Sequence, residues 1–131
     1  MNKTVNIEER KPIWIELSQL YLDIELQETD FRYIAFKIIE SPYSLDEVKE
    51  INKFEVFPVL YTNLLSVAGE WAGFNENWLV NTITGSLAKR NTIKKIGIKI
   101  LFFTFKWMQT SYWEKLEKIY NELVANPDPL L

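Results

Sequence analysis

Residues 44–58 read SLDEVKEINKFEVFP and carry the clearest local signal for the fold. Ser44 and Glu47 have the spacing of a capping box, in which each side chain accepts a hydrogen bond from the other residue's backbone amide. We therefore expect a helix to begin at Leu45. Pro58 has no amide hydrogen, and its ring clashes with the carbonyl four residues earlier, so the helix should kink or break near residues 56–57 before a short continuation.

Two helices are predicted before this stretch. Over residues 9–26, Pro12 suits a first helical turn, and large apolar residues recur at spacings of three and four. The predicted core stripe is Ile13, Trp14, Leu17, Leu20, Tyr21 and Ile24. A second helix capped by Thr29 or Asp30 should end at the Ser41-Pro42 pair. Its predicted stripe is Phe31, Ile34, Ala35, Ile38 and Ile39.

Three further segments follow. Residues 66–74 hold two of the four glycines and are predicted to form a loop, after which Asn75 should cap a helix that contains Trp78, Leu79, Ile83 and Leu87. Residues 92–108 form a helical stripe that we expect to be buried or to form an interface, although their β-branched and aromatic content leaves a strand as the alternative. That stripe is Ile93, Ile96, Ile100, Phe103, Trp107 and Met108. A last helix is predicted from a second capping box, Ser111 to Glu114.

The length of 131 residues fits one domain, and 47% hydrophobic residues with 15% aromatics provide enough apolar surface for a core. No repeat or flexible linker divides the chain. We therefore predict an all-α fold: a single compact, irregular bundle of about five to seven helices over residues 1–131. Residues 1–8 and 126–131 are expected to be frayed tails.

The chain has no His and no Cys, which excludes several kinds of chemistry. Without them it cannot form a Ser-His-Asp triad, a thiolate nucleophile, a zinc site with thiolate ligands or a disulfide. The acidic clusters match no calcium loop. We expect no catalytic residue, no metal and no cofactor, and hence a protein that is not an enzyme.

The net charge of −3 hides a polarised chain. Residues 1–88 contain seven basic and fourteen acidic residues, a balance of −7, whereas residues 89–131 contain eight and four, a balance of +4. Lys95, Lys99 and Lys106 should share one face of the helix over 92–108, opposite its isoleucine stripe. The basic segment 89–106 could bind nucleic acid or an acidic protein, or it could be a solvated face neutralised by the acidic half. The acidic total disfavours nucleic acid.

The loop offers a second candidate. Glu70 beside Trp71 could be partly desolvated, which would raise the pKa of its carboxyl and allow acid–base chemistry. The alternative is that Trp71, Phe74 and Trp78 form a core plug that holds the loop to the next helix. The candidate partner-binding residues are Glu70, Trp71, Trp78, Lys95 and Lys99.

The sequence also bears on location. The first eleven residues are charged where a signal peptide would be apolar, and residues 96–105 are interrupted by Lys99 and are too short to cross a bilayer. We expect a cytoplasmic, bacterial-type protein without a membrane-spanning segment.

Several strings resemble a family of small uncharacterised bacterial proteins defined only as a domain of unknown function. These are DFRYIA at 30–35, SPYSL at 41–45, EVFPVL at 55–60 and NLLSVAGEWAGF at 63–74, and the resemblance covers residues 9–80. It implies no activity and no catalytic residues.

The leading hypothesis is a non-enzymatic protein-binding module, such as an immunity or antitoxin-like protein that blocks a cognate toxin. Small size, missing catalytic residue types and abundant aromatic anchors motivate it. The alternatives are a nucleic-acid-associated accessory protein that uses residues 89–106 and a carboxylate-dependent enzyme centred on Glu70. A homodimer also stays open.

Overall fold

The computed structural model describes residues 5–66 and 69–126, and within these ranges the regular structure is entirely helical. Five continuous helical segments are present there, which confirms the predicted all-α bundle. The first is α1 (Ile7–Ser18) with a 3-10 turn (Gln19–Tyr21), and the second is α2 (Glu28–Glu40). The third is α3 (Leu45–Ile51), a π-helical segment (Asn52–Val56) and α4 (Phe57–Leu65). The fourth is α5 (Glu76–Ala88), and the fifth is α6 (Thr92–Phe105), a 3-10 turn (Lys106–Gln109) and α7 (Thr110–Ala125).

The stretch 44–58 folds as its motifs predict. Ser44 Oγ accepts the Glu47 amide at 3.1 Å, and a Glu47 carboxylate oxygen accepts the Ser44 amide at 2.8 Å, so the capping box is formed. Near Pro58 the helix does not break. The hydrogen bonds shift by one residue, and the Phe57 amide donates to the Asn52 carbonyl. One π-helical segment thus accommodates the proline, which becomes the second residue of α4.

Three predicted helix starts are wrong. Asn6 caps α1, which begins at Ile7, inside the stretch expected to be a tail, so Pro12 lies well within the helix and not in its first turn. The second error concerns α2, which begins at Glu28 and follows Gln27, so neither Thr29 nor Asp30 precedes the helix. Asp30 is the third residue of α2, and its carboxylate oxygen accepts the Gln27 amide at 2.8 Å.

The third error concerns Ser111, which is the second residue of α7 and does not cap it. Ser111 does not cap α7 because α7 continues an existing helical segment. The helix before α7 runs into it through the 3-10 turn, and the carbonyls of that turn are positioned to accept the first amides of α7.

The core lies where α1 meets the other segments. α1 packs on α2, α5 and the π-helical segment, and α2 packs along α7. Phe31 of α2 meets Tyr112 of α7 edge to face, with ring centroids 5.4 Å apart. The fully buried large side chains are Trp14, Tyr21, Phe31, Phe57, Ile13, Leu17, Leu20, Ile34, Ile38, Leu60, Leu79 and Ile83. Two residues of the predicted stripes, Ile24 and Ile39, are exposed instead.

The position of α6 is the main departure from the predicted packing. The segment is a helix and not a strand, but none of its residues is fully buried. It lies against the π-helical segment, and its half-buried Leu101, Phe102 and Phe105 pack against the core. Of the stripe predicted to be buried or to form an interface, Met108 is half-buried and the other five residues are exposed. The reason is that the helix carries apolar residues on both sides and the other side packs. In the described part of the chain no helix is long and apolar enough to span a membrane.

Candidate functional site

The loop around Glu70 is held by its backbone. Asn63 donates its side-chain amide to the Tyr21 carbonyl at 2.7 Å and accepts the Glu70 amide at 2.8 Å. The Asp23 amide donates to the Glu70 carbonyl at 2.7 Å. A Cβ on Gly69 would come within 2.9 Å of Asn63, so glycine is needed for this close approach. Residues 67 and 68 of the predicted loop lie outside the described ranges.

The predicted core plug is wrong for its two tryptophans, because Trp71 is 66% exposed and Trp78 is 48% exposed. Phe74 is half-buried and packs against the core. Its ring stacks on that of the exposed Trp78, with ring centroids 6.2 Å apart. The Glu70 carboxylate is also exposed, and it accepts the Ala72 amide at 3.0 Å. This carboxylate therefore holds a turn, and its exposure removes the desolvation on which the acid–base hypothesis depended.

The basic segment is divided between internal contacts and solvent. Arg90 donates to the Phe54 carbonyl at 2.7 Å, and the Lys95 ammonium lies 5.3 Å from the centroid of the Phe54 ring. Lys94 donates to the Lys89 carbonyl at 3.2 Å. Lys99 is exposed. Arg90 and Lys95 thus attach α6 to the π-helical segment, while Lys99 is presented outward.

The surface that stands out is the side of α6 turned away from the core. Four large apolar residues of α6 and Trp107 of the 3-10 turn that follows it, spaced alternately by three and four, are here named the outer face. They are Ile93, Ile96, Ile100, Phe103 and Trp107, with exposed fractions of 80%, 52%, 64%, 74% and 68%. Helical geometry places Lys99 and Lys106 on one edge of this face and Gly97 and Thr104 on the other. So large a contiguous apolar patch is typical of an interaction site.

The predicted site residues form two separate groups. Across the described ranges, no hydrogen bond, ion pair or ring contact joins Trp71 or Trp78 to Lys95 or Lys99. Lys99 borders the outer face, whereas Trp71 lies beside Asp23 and Gly69 around a small depression at the loop.

A buried polar network escaped the sequence analysis. Glu55, in the π-helical segment, pairs with Arg10 and accepts the Trp14 indole N–H at 2.8 Å. Burial lowers the pKa of Arg10, but the hydrogen bond and charge of Glu55 outweigh it, so the pKa of Arg10 is raised. Tyr21 donates to Asn52 at 2.6 Å, and burial raises the pKa of its hydroxyl. No sequence signal distinguishes Glu55 from Asp46, Glu47 or Glu50 in the same helical stretch.

A groove of about 660 Å³ lies between α3, the π-helical segment and the α6–α7 junction. Its walls alternate lysines with glutamates, and Lys49 pairs with Glu117 at 2.6 Å. Asn52 and Gln109 belong to its lining and are largely occupied with each other and with Tyr21 and Leu20. Among the described residues there is no acidic cluster that could hold a metal ion.

The comparisons with known proteins give one match. A family model described as Domain of unknown function (DUF7079) matches residues 8–119. The match extends past residue 80, where the predicted resemblance ended, and includes the whole of α6. No curated protein and no solved structure matches the chain.

Proposed function

We propose that this chain, which belongs to the DUF7079 family of domains of unknown function, is a non-enzymatic protein-binding module whose contact surface is the outer face of α6. The observation that carries the proposal is a row of five exposed large apolar side chains. Four lie on α6, which buries none of its own residues, and the fifth, Trp107, lies on the turn that follows it. Burying one such side chain fully contributes about 1.5–3 kcal/mol. A partner that covers the face therefore has a strong driving force.

The composition of the face supports a protein partner. Phe103 lies in the last turn of α6 and Trp107 in the 3-10 turn that follows, and aromatic residues are the usual energetic anchors of protein interfaces. The chain has no His and no Cys, and the carboxylate with the best sequence case for catalysis, Glu70, is exposed and holds a turn. Binding is therefore better supported than chemistry.

The test is a comparison of two exposed substitutions. Ile100→Glu places a charge in the middle of the outer face, and Val124→Glu places the same charge on α7, where Val124 is 54% exposed. Tagged wild-type and variant proteins are purified from their own cells after cross-linking, with helicity checked by circular dichroism. A specific partner should be retained by Val124→Glu and lost by Ile100→Glu. Retention by Ile100→Glu would contradict the proposal.

Within protein binding, we propose an immunity or antitoxin-like role. Small size, the lack of His and Cys, and the exposed aromatic side chains of the outer face support it. The gene neighbourhood should then encode a toxin that co-purifies with this protein. Deletion of the gene should make cells sensitive to that toxin, and Ile100→Glu should fail to restore protection. Unchanged survival after deletion would rule this role out.

Nucleic-acid binding is a second candidate, favoured by one observation: residues 89–113 contain six basic residues and no acid. Such binding would weaken steeply with salt. It predicts that Lys95→Glu/Lys99→Glu abolishes the binding of a labelled RNA or DNA duplex at low ionic strength, with Lys115→Glu/Lys118→Glu on α7 as the control. Binding that is absent or insensitive to salt removes this candidate.

A further inference from the structure

We infer that the segment bound by the outer face is an acidic amphipathic helix of a different protein, which lies along α6 with its carboxylates against Lys99 and Lys106. This inference rests on the proposed function and adds the chemistry of the partner. It is argued from the spacing of the face, from its two edges and from its charge.

The spacing is that of a helix–helix seam. From Ile93 to Trp107 the apolar residues alternate by three and four, which is the a/d pattern of a seven-residue repeat. Over the 14 residues of α6 this gives two repeats, a length of about 21 Å at 1.5 Å per residue. Such a face accepts the apolar stripe of one other helix.

The two edges of the seam differ in kind. Lys99 and Lys106 are seven residues apart and follow one edge. Gly97 and Thr104, also seven apart, follow the other; no atom lies within 4 Å of a Cβ built on Gly97, and the Thr104 hydroxyl donates to the Ile100 carbonyl at 2.9 Å. One edge thus has two cationic side chains. The other edge has only small residues, and its one hydroxyl already donates a hydrogen bond within the helix. A partner helix can approach closely on the small edge and place acidic residues on the cationic edge.

Charge disfavours a second copy of this chain lying antiparallel in that position. In an antiparallel pair of α6 helices, like edges meet, so Lys99 and Lys106 would face the same lysines of the other copy. No acid between residues 89 and 113 is available to compensate. An acidic partner helix turns this repulsion into attraction, and interfacial charge complementarity mainly selects the partner and its register.

The asymmetry also disfavours a bilayer as the occupant. A helix that lies on an anionic membrane has a broad charged face with cations available on both borders of its apolar face. The outer face has its cations on one border only, and the opposite side of α6 is committed to Phe57 through Phe102, with ring centroids 5.1 Å apart.

The probe is a pair of synthetic peptides of about three heptads with leucine at a and d. One has glutamate at e and g, which prevents self-pairing, and its twin has lysine at those positions. Binding is measured by fluorescence anisotropy at low ionic strength. The acidic peptide should bind the wild type, and the basic peptide should not. The Lys99→Glu/Lys106→Glu variant should bind the acidic peptide about tenfold or more weakly than the wild type does, and it should bind the basic peptide. Lys115→Glu/Lys118→Glu is the control and should change neither.

Three results would overturn the inference. The first is equal or absent binding of both peptides. The second is binding to vesicles of one-third phosphatidylglycerol without peptide binding. The third is a dimer, detected by sedimentation, that Ile100→Glu dissociates. A fourth result separates the inference from the proposed function. If a natural partner is lost by Ile100→Glu but kept by Lys99→Glu/Lys106→Glu, the acidic helix is ruled out and protein binding by the outer face still stands.

Discussion

Glu55 shows how one buried acid joins two helices. It accepts the Trp14 indole N–H and pairs with Arg10, so both donors of α1 depend on one side chain of the π-helical segment. Arg10 also donates to the Tyr43 hydroxyl at 3.0 Å. Removing Glu55 leaves the Trp14 indole N–H without its acceptor and leaves Arg10 with the Tyr43 hydroxyl alone, in a region that water reaches poorly.

We therefore expect Glu55→Ala to destabilise the protein by about 3 kcal/mol, the lower end of the cost of breaking a buried ion pair. Urea denaturation monitored by circular dichroism measures this. The control is Glu8→Ala, which removes an exposed ion pair with Lys11 and should cost less than about 1 kcal/mol. Equal losses for the two variants would show that the Glu55 cluster is not structural.

Glu16 makes the stability depend on pH. Burial raises the pKa of this carboxyl from its ordinary value of 4.5, partly opposed by Lys37 and by the Gln19 hydrogen bond. The folded state then holds the proton more tightly than the unfolded state, so the contribution of Glu16 is most favourable at low pH. It declines as the pH rises through 4.5 and the raised value.

The matching variant is Glu16→Gln, which keeps the shape and removes the charge. It should be more stable than the wild type at pH 7, and the difference should vanish at pH 3. The exposed carboxylate variant Glu25→Gln should show no such pattern. Urea midpoints at several pH values test this, and a difference that grows toward low pH would contradict it.

At the scale of the helices, two Ser-x-x-Glu motifs have different fates. Ser44 caps α3, whereas Ser111 lies inside a helical run that continues from α6. Ser44→Ala should therefore cost about 1 kcal/mol, the usual value for a lost N-cap. Ser111→Ala should stay within about 0.5 kcal/mol of the wild type, because alanine is the better helix former. Thermal unfolding distinguishes the two, and an equal loss for Ser111→Ala would mean that α7 has a cap of its own.

The contrast between Ser44 and Ser111 shows which features of the helices can be predicted from the sequence. Helical periodicity and Pro58 are local properties, so the helices and the irregularity before the proline were predictable. Whether a capping motif is used depends on whether the preceding residues are already helical. For Ser111 two local signals conflict. Its upstream neighbours Lys106 to Gln109 contain no Gly or Pro, which favours a continuing helix, whereas the Ser-x-x-Glu spacing favours a new start.

At the scale of the molecule, the orientation of α6 is the feature that sequence could not supply. Both sides of the helix are apolar, with Ile98, Leu101, Phe102 and Phe105 on one and the outer face on the other. A periodic apolar stripe predicts that a helix face is covered. It does not indicate whether the protein's own core or another molecule covers it. The same ambiguity affected Trp71 and Trp78, since an aromatic residue suits a core and an interface equally well.

Two substitutions separate the sides of α6. Phe102→Ala removes the half-buried ring that meets Phe57 edge to face, and it should cost about 2 kcal/mol, below the 3–5 kcal/mol typical of fully buried aromatics. Ile100→Ala, on the exposed side, should change stability by no more than about 0.5 kcal/mol. Urea denaturation measures both, and a larger loss for Ile100→Ala would reverse the assigned orientation.

The shallow attachment of α6 has a consequence for amide hydrogen exchange. A helix that buries none of its residues fully has little to hold it closed, so its amides should exchange through local opening well before those of α1 and α2. A bound partner would close this opening and add to the unfolding free energy in proportion to the logarithm of its concentration. Occupancy of the face would thus be recorded as slowed exchange along α6, even where no neighbouring helix moves.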